Sequence, residues 1–376
     1  MEDFEEYIRA TEPSRKERAE NWRTAIGLQA VDQLRTSDYL HETARRNIEG
    51  EITIEEVQTL VRTYYESKTK RTPEDDAMEE ADRVAANISR ILGEPSFTFS
   101  VVGITSIHRR LFDGVFKFAG KIRDYDITKK EWVLRGDTVL YVGAEDLHRA
   151  LEYDLQQEKD FSYQNLSMDD TIIHLARFIS GLWQIHPFGE GNTRTIAVFA
   201  IKYLRSIGFQ VNNELFAKHS WYFRNALVRA NYRNRVQNIE PEPVFLIRFL
   251  RNLLLGEKNE LHNRYMLVNP PVEWNDEVER IKNELEGAKP HKYPTSTPQV
   301  EKLIQILGHQ ELSIKEMLSF MGLKDRKNFL EVYLTPAIRD GYVAMQYPDS
   351  PRHPRQKYLL TVKGMAVLNK EKHDRK

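Results

Sequence analysis

Cysteine is absent from the 376 residues. A disulfide framework, a thiolate zinc site and a cysteine nucleophile are thereby excluded. Long apolar runs are missing too. The longest goes from Ile196 to Ile201, where Lys202 ends it, against the ~20 residues of a membrane span. The first residues, Met1 to Glu6, are acidic and no apolar stretch follows them, so they do not read as a signal peptide. Nor does one sign of charge prevail: 55 Lys and Arg stand against 56 Asp and Glu, a net charge of −1. That balance argues against attraction of the whole chain to nucleic acid or to a membrane surface, while a local basic patch stays open. No fixed-period repeat or low-complexity tract is found. A soluble, cytoplasmic protein without a membrane partner is the expectation.

The composition, 40% hydrophobic and 30% charged, is that of a globular chain. At the usual ~100–200 residues per domain, two or three domains are expected. Two segments read as joints: Glu66 to Asp76, charged and carrying Pro73, and Glu286 to Pro298, with Gly287, Pro290 and Pro294. They divide the chain at 1–70, 71–285 and 286–376.

Most of it reads as helix. Residues 14–34 are long and polar. Asp38 can cap a helix through Ile48, stopped by Gly50. Thr53 with Glu56 makes a capping box for a helix through Tyr65. These helices are too small for a core of their own and must pack on the middle segment. Residues 75–93 and 100–118 read as helices as well. Ile122 to Tyr141 breaks the pattern: β-branched and aromatic residues flank Gly136-Asp137, and a β-hairpin is expected. Ile172, Leu175, Ala176, Ile179 and Leu182 then form one buried helical stripe. That helix ends near Ile185, and Thr193 to Ser206 forms the next, stopped at Gly208.

The loop between these two helices carries the chemistry: His186-Pro187-Phe188-Gly189-Glu190-Gly191-Asn192-Thr193-Arg194. Gly191 and Asn192 begin a helix whose first N–H groups lack intrahelical acceptors, which makes an anion site. Arg194 sits in the first turn, a poor place for a cation against the helix dipole unless an anion is bound there. Glu190 beside a phosphate can hold Mg²⁺, which takes one or two carboxylates with phosphate oxygens and water. His186 is a base with a pKa near neutrality. Taken singly, a His at a helix end is usually a cap and a surface Glu is usually solvated. The joint occurrence is what points to a site.

These residues resemble the signature of the Fic family (filamentation induced by cAMP), His-x-Phe-x-(Asp/Glu)-Gly-Asn-Gly-Arg-x-x-Arg, at His186, Phe188, Glu190, Gly191, Asn192 and Arg194. The likeness extends from about Ile107 to Tyr232 and includes Gly120-Lys121-Ile122-Arg123. It implies transfer of a nucleotide monophosphate, usually AMP from ATP, to a protein hydroxyl. By the same resemblance His186 would deprotonate the acceptor Tyr, Ser or Thr, and Glu190 would hold Mg²⁺. The stretch Gly189, Glu190, Gly191, Asn192, Thr193 and Arg194 would bind the nucleotide. Phe188 would anchor the loop in the core. The hairpin at about Asp126 to Tyr141 would be the flap on which a target protein docks by strand addition. Asn231 and Tyr232 are candidate pocket walls, with a core role favoured for Tyr232. Two positions depart from the pattern. Thr193 replaces a Gly and should still fit a first helical turn. Ala197 replaces the second Arg, which in many relatives contacts the γ-phosphate, so the nucleotide's identity stays open.

Residues 14–65 resemble the antitoxin-like helices that such proteins carry, but the inhibitory motif Ser/Thr-x-x-x-Glu-Gly/Asn is not intact. Glu49-Gly50 has Arg45 where Ser or Thr should be. A second register, Ala25-Ile26-Gly27-Leu28-Gln29, lacks the Glu. Inhibition by a Glu–Arg pair is therefore not expected. In the C-terminal piece, Ser313 to Phe320 and Arg326 to Asp340 read as helices, followed by short strands at 342–345 and 358–361. Together they make a winged helix. Lys324, Arg326 and Lys327, with Arg352, Arg355 and Lys357, could face DNA phosphates. The fold expected is thus mainly α: a Fic helical core with a hairpin flap, an N-terminal helical segment and a C-terminal winged helix. The leading function is protein AMP transfer with ATP as co-substrate. The alternatives are a DNA-binding regulator with a weakly active core, or transfer of another nucleotide. A homodimer stays open.

Overall fold

The computed structural model describes residues 4–8, 12–211, 213–283 and 297–374. The Glu286 to Pro298 joint lies almost wholly outside them. After one turn at Glu5–Ile8, the N-terminal part contains α1 (Pro13–Gly27), a 3₁₀ stretch Leu28–Asp32, α2 (Asp38–Glu49) and α3 (Ile54–Glu66). The cap of α2 is Ser37 rather than Asp38: its hydroxyl accepts from Leu40 N–H, and its own N–H and hydroxyl donate to Asp82. An uncharged hydroxyl one residue earlier serves the orphan donors equally well. The Thr53–Glu56 capping box forms as expected.

The middle part is built from α4 (Pro73–Gly93), α5 (Val101–Leu111), α6 (Leu147–Asp160), α7 (Met168–Ile185), α8 (Asn192–Ser206), α9 (Asn213–Asn231, kinked at His219), α10 (Val244–Leu255) and α11 (Asn275–Asn283). α8 is buried on nearly every side, from Asn192 to Leu204. Such a helix lies at the centre of a bundle. The N-terminal helices complete that bundle. Trp22, Ala25, Leu28 and Val31 share one core with the middle helices. At the closest approach a Cβ on Gly27 would lie 2.3 Å from the Ala217 Cα, so only glycine lets α1 meet α9.

α5 stops at Leu111, short of the expected 118, and turns carry the chain to Gly120. From Ile122 to Tyr141 no strand is formed, which corrects the hairpin expectation. The segment does double back, with Glu131 N–H donating to Asp137 O at 2.9 Å, but a 3₁₀ turn at Trp132–Leu134 occupies its tip. Val133 and Leu134 are pulled into the core, and Glu131 into a pair with Arg224. Burial at the tip replaces the regular ladder.

The C-terminal part contains α12 (Pro298–Leu307), α13 (Ile314–Met321), α14 (Arg326–Phe329), a π-helical stretch Leu330–Leu334 and α15 (Thr335–Arg339). β1 (Val343–Met345), β2 (Tyr358–Leu360) and α16 (Val362–Asp374) follow. β1 and β2 pair antiparallel with Ala344 opposite Leu359. The single helix expected over 326–340 is interrupted because Pro336 has no N–H and its ring crowds the carbonyl of Val332; the wider π turn absorbs both. This part has its own core around Leu303, Phe329 and Leu360. α16 joins it to the bundle: Val362 and Ala366 belong to the first core, Leu368 to the second. Gly208 and Gly341 meet back to back at this junction, where a Cβ on either would lie within 2.3 Å of the other's carbonyl oxygen.

Candidate functional site

α7 ends because His186 takes a left-handed conformation, φ 52° and ψ 58°. α8 begins because Gly191 takes another, φ 74°. A Cβ on Gly191 would lie 2.1 Å from the Phe112 ring, so space and backbone both demand glycine there. The short loop between is closed by Asn192, whose side-chain oxygen accepts from Phe188 N–H at 2.9 Å while its amide donates to Phe188 O at 2.7 Å. The Asn192 side chain thus shapes the loop. What it leaves for an anion is the backbone N–H set of the first α8 turn.

Two residues outside the loop hold it. Arg123 donates from Nε to His186 O at 2.9 Å and from its N–H to Pro187 O at 2.9 Å, and it reaches Tyr125 O and Val142 O as well. His108 lies flat on Phe188, ring centres 3.7 Å apart. Gly120 N–H donates to His108 Nδ1 at 2.8 Å. Nδ1 therefore carries the lone pair, and Nε2–H donates to Glu190 O at 3.0 Å. Burial pulls the His108 pKa from 6.5 down to about 4. Nothing in the sequence marks His108; in α5 it reads as an ordinary helix residue. Arg123 was legible only as part of the stretch before the hairpin.

His186 is 2% exposed. Its ring lies 4.2 Å from Tyr141 and 5.2 Å from Trp183. Desolvation, with the charges of Lys129, Arg224 and Arg123, pushes its pKa well below 6.5. It is a neutral imidazole, the form a base needs. Glu190, by contrast, is exposed at the loop tip, where Lys129 pairs with it at 2.8 Å. Among the described residues no group of three or more His, Asp or Glu gathers as a metal cage. A lone solvent-facing carboxylate does fit a Mg²⁺ that completes its shell with phosphate oxygens and water. Gly189 lies under the Tyr125 hydroxyl, which would meet a Cβ at 2.5 Å.

Thr193 faces inward, accepting from Trp183 Nε1 at 3.0 Å. It ties α7 to α8, and the hydroxyl accepts in that bond, so its own O–H is not spent by it. Phe188 is fully buried, and Ala197 is fully buried as well. Tyr232 is buried and donates to Asp137 at 2.6 Å, tying the doubled-back segment to α9; Asn231 donates to Ser180 O and Leu227 O.

Arg194, 1% exposed, stacks on Phe112 and is ringed by acceptors. Nη2 lies 2.7 Å from Glu80, Nη1 donates to Gln29 at 3.0 Å, and Nε lies 2.8 Å from Asp32. The Asp32 contact is off the N–H axis, so the Nε–H itself has no hydrogen-bond acceptor. Gln29 stands where the second inhibitory register would have its Glu, and Asp32 follows three residues later. A carboxylate–arginine pair between the N-terminal segment and the loop therefore forms through Asp32 and Arg194, neither of which belongs to the Glu–Arg pair of the inhibitory motif. Glu49 takes no part, being bonded to the Tyr7 hydroxyl.

Residues 98–204 match the Fic/DOC family, and residues 298–361 match the C-terminal domain of Fic-like "filamentation induced by cAMP" proteins. The loop lies within the first matched stretch, and the match supports a Fic-type enzyme in general. No curated protein matches the chain. Among solved structures, a Fic family protein from Desulfovibrio desulfuricans G20 is 19% identical with a TM-score of 0.40, covering 95% of this chain and 90% of that one. The N-terminal Fic domain of a cell filamentation protein (a VirB-translocated Bep effector) from Bartonella quintana is 24% identical with a TM-score of 0.37. It covers 48% of this chain and 83% of that one. Among the described residues no helix is long and apolar enough to cross a membrane.

Proposed function

We propose that this chain is a protein nucleotidyltransferase that moves AMP from ATP to a Tyr, Ser or Thr hydroxyl of a target protein. The observation that carries the proposal is the buried, neutral His186 beside a helix N-terminus, with Glu190 and Arg194 on the same loop. The acceptor oxygen attacks the α-phosphorus as His186 takes the hydroxyl proton. The bond from phosphorus to the bridging oxygen breaks, and pyrophosphate leaves with that electron pair. Glu190 holds Mg²⁺, which neutralises phosphate charge when bound. The first N–H groups of α8 face the α-phosphate, and Arg194, whose Nε–H has no acceptor of its own, faces the β-phosphate. Positioning and charge stabilisation supply most of the rate; the base contributes about 10²–10⁴-fold.

Access to the site calls for movement. The segment from Asp126 to Tyr141 lies over His186 through Tyr141 and over Glu190 through Lys129. We take it to lift when a target docks. Leu140, 85% exposed, and the half-exposed Trp132 are the surfaces it offers. The test uses ATP, GTP, CTP and UTP labelled at the α-phosphate with Mg²⁺, on wild type beside His186→Ala. Label on protein that disappears in the variant supports the proposal. Absence of label with every nucleotide, while nucleotide still binds, refutes it.

A second function rests on the C-terminal part. Lys324, Arg326, Arg352 and Arg355 are exposed and have no carboxylate partner among the described residues, whereas Lys327 shares one with Glu331. Duplex-DNA binding that weakens steeply with salt and is lost in Arg352→Gln/Arg355→Gln supports a DNA-binding regulator. Salt-independent binding, or none, removes it.

A further inference from the structure

Between α3, α4 and α5 lies a hollow of about 450 Å³, open to solvent on one side, where Arg62, Arg109 and Asp113 are exposed. Five guanidinium groups line it: Arg62 from α3, Arg83 and Arg90 from α4, and Arg109 and Arg110 from α5. Asp113 is the one carboxylate in the lining. Nearby carboxylates answer only part of this charge. Glu79 pairs with Arg83 at 2.6 Å, and Glu94 pairs with Arg110 at 2.5 Å while standing 3.9 Å from Arg90. Arg62 and Arg109 have no hydrogen-bond or ion-pair partner among the described residues. The Nε–H groups of Arg83 and Arg90 are buried without an acceptor.

Five like charges around one hollow repel one another, and buried donors without acceptors are costly. In a chain whose net charge is −1, this is a local concentration of positive charge and not a general surplus. An anion with several oxygens resolves both problems together, because a guanidinium presents paired donors that match phosphate geometry. The neutral amides of the lining are bonded within it: Gln58 accepts from Arg90 Nη1 at 3.3 Å and donates to Asn87 Oδ1 at 2.6 Å, and Asn87 donates to Leu111 O at 2.9 Å. No aromatic side chain lines the cavity, so no platform for a nucleobase is present.

We propose that this cavity binds a short oligophosphate chain, whether free pyrophosphate or triphosphate or the phosphate tail of a nucleotide, and that it recognises the phosphates alone. The site is independent of the His186 loop, and the proposal does not depend on the transfer reaction.

The experiment titrates the full chain with sodium triphosphate by calorimetry at low and at moderate salt. The proteins are wild type, Arg62→Gln/Arg109→Gln and, as a control for the other basic surface, Arg352→Gln/Arg355→Gln. Arg62 and Arg109 are exposed and unpartnered, so the first pair should fold, and circular dichroism checks it. Wild type and the control pair are expected to bind alike. The cavity pair is expected to lose about a hundredfold, each charge-assisted contact being worth tenfold or more. The loss in the cavity pair is expected to be the same for ATP as for triphosphate, since binding of ATP at the His186 loop is common to both proteins, and that equality assigns recognition to the phosphates. Unchanged affinity in the cavity pair, equal loss in the control pair, or no binding at all overturns the proposal. So does binding of ATP without triphosphate, or clear preference for a single-stranded oligonucleotide.

Discussion

His108 gives the sharpest quantitative expectation, because one side chain couples acidity to the geometry of the loop. Its Nδ1 accepts from Gly120 N–H and its Nε2–H holds Glu190 O. A protonated ring can no longer accept, so acid must break the Gly120 bond. The folded pKa of about 4 lies below the unfolded 6.5. Protons therefore favour the unfolded chain, and the stabilisation is complete above the unfolded value and lost as pH falls toward the folded one. With these two pKa values, the loss amounts to about 2 kcal/mol at about pH 5 and about 3 kcal/mol at about pH 4. Other groups titrate in the same range. His186 adds in the same direction. Asp82, raised to about 6 by burial, acts in the opposite sense, since its folded form holds a proton more readily. The comparison must therefore be wild type against His108→Asn, which keeps one donor and one acceptor and does not titrate. Urea unfolding of both between about pH 7 and pH 4.5 measures it. The wild type should lose about 2 kcal/mol more than the variant across that window. Parallel stability curves would refute the assignment of this acid sensitivity to His108.

The Arg194 ring should restrain nucleotide binding: Asp32→Asn, which keeps the shape and removes the charge, should raise nucleotide affinity about tenfold, measured by calorimetry. A fall in affinity alongside a fall in melting temperature would make Asp32 purely structural. Thr193→Val should lower stability by about 1–3 kcal/mol because the buried Trp183 N–H loses its acceptor, whereas Thr193→Ser should cost less; equal losses would show that the hydroxyl is irrelevant. Since the His186 pKa lies well below 6.5, transfer rates should stay level as pH falls through about 6.5, and a drop centred there would place the imidazole in water.

The sequence by itself determined what depends on neighbours along the chain. The end of the apolar period near Ile185 and the Gly191-Asn192 start of α8 frame a loop whose residues offer a candidate base, a carboxylate and an anion site. Period and caps placed α3, α4, α7 and α8 within a few residues, because local backbone hydrogen bonds and one apolar face decide such helices. Tertiary structure decided what depends on distance. Gln29, 165 positions from Arg194, meets it because the N-terminal helices complete the bundle around α8, and Glu80, 114 positions away, because α4 packs on that helix. The strand-like residues of 122–141 bury their tip instead of pairing, since Val133 and Leu134 find a core and Glu131 finds Arg224. A motif search sees Arg194 as a free cation. Packing sets two carboxylates and an amide against it, because a buried guanidinium must be answered by whatever the fold brings within reach.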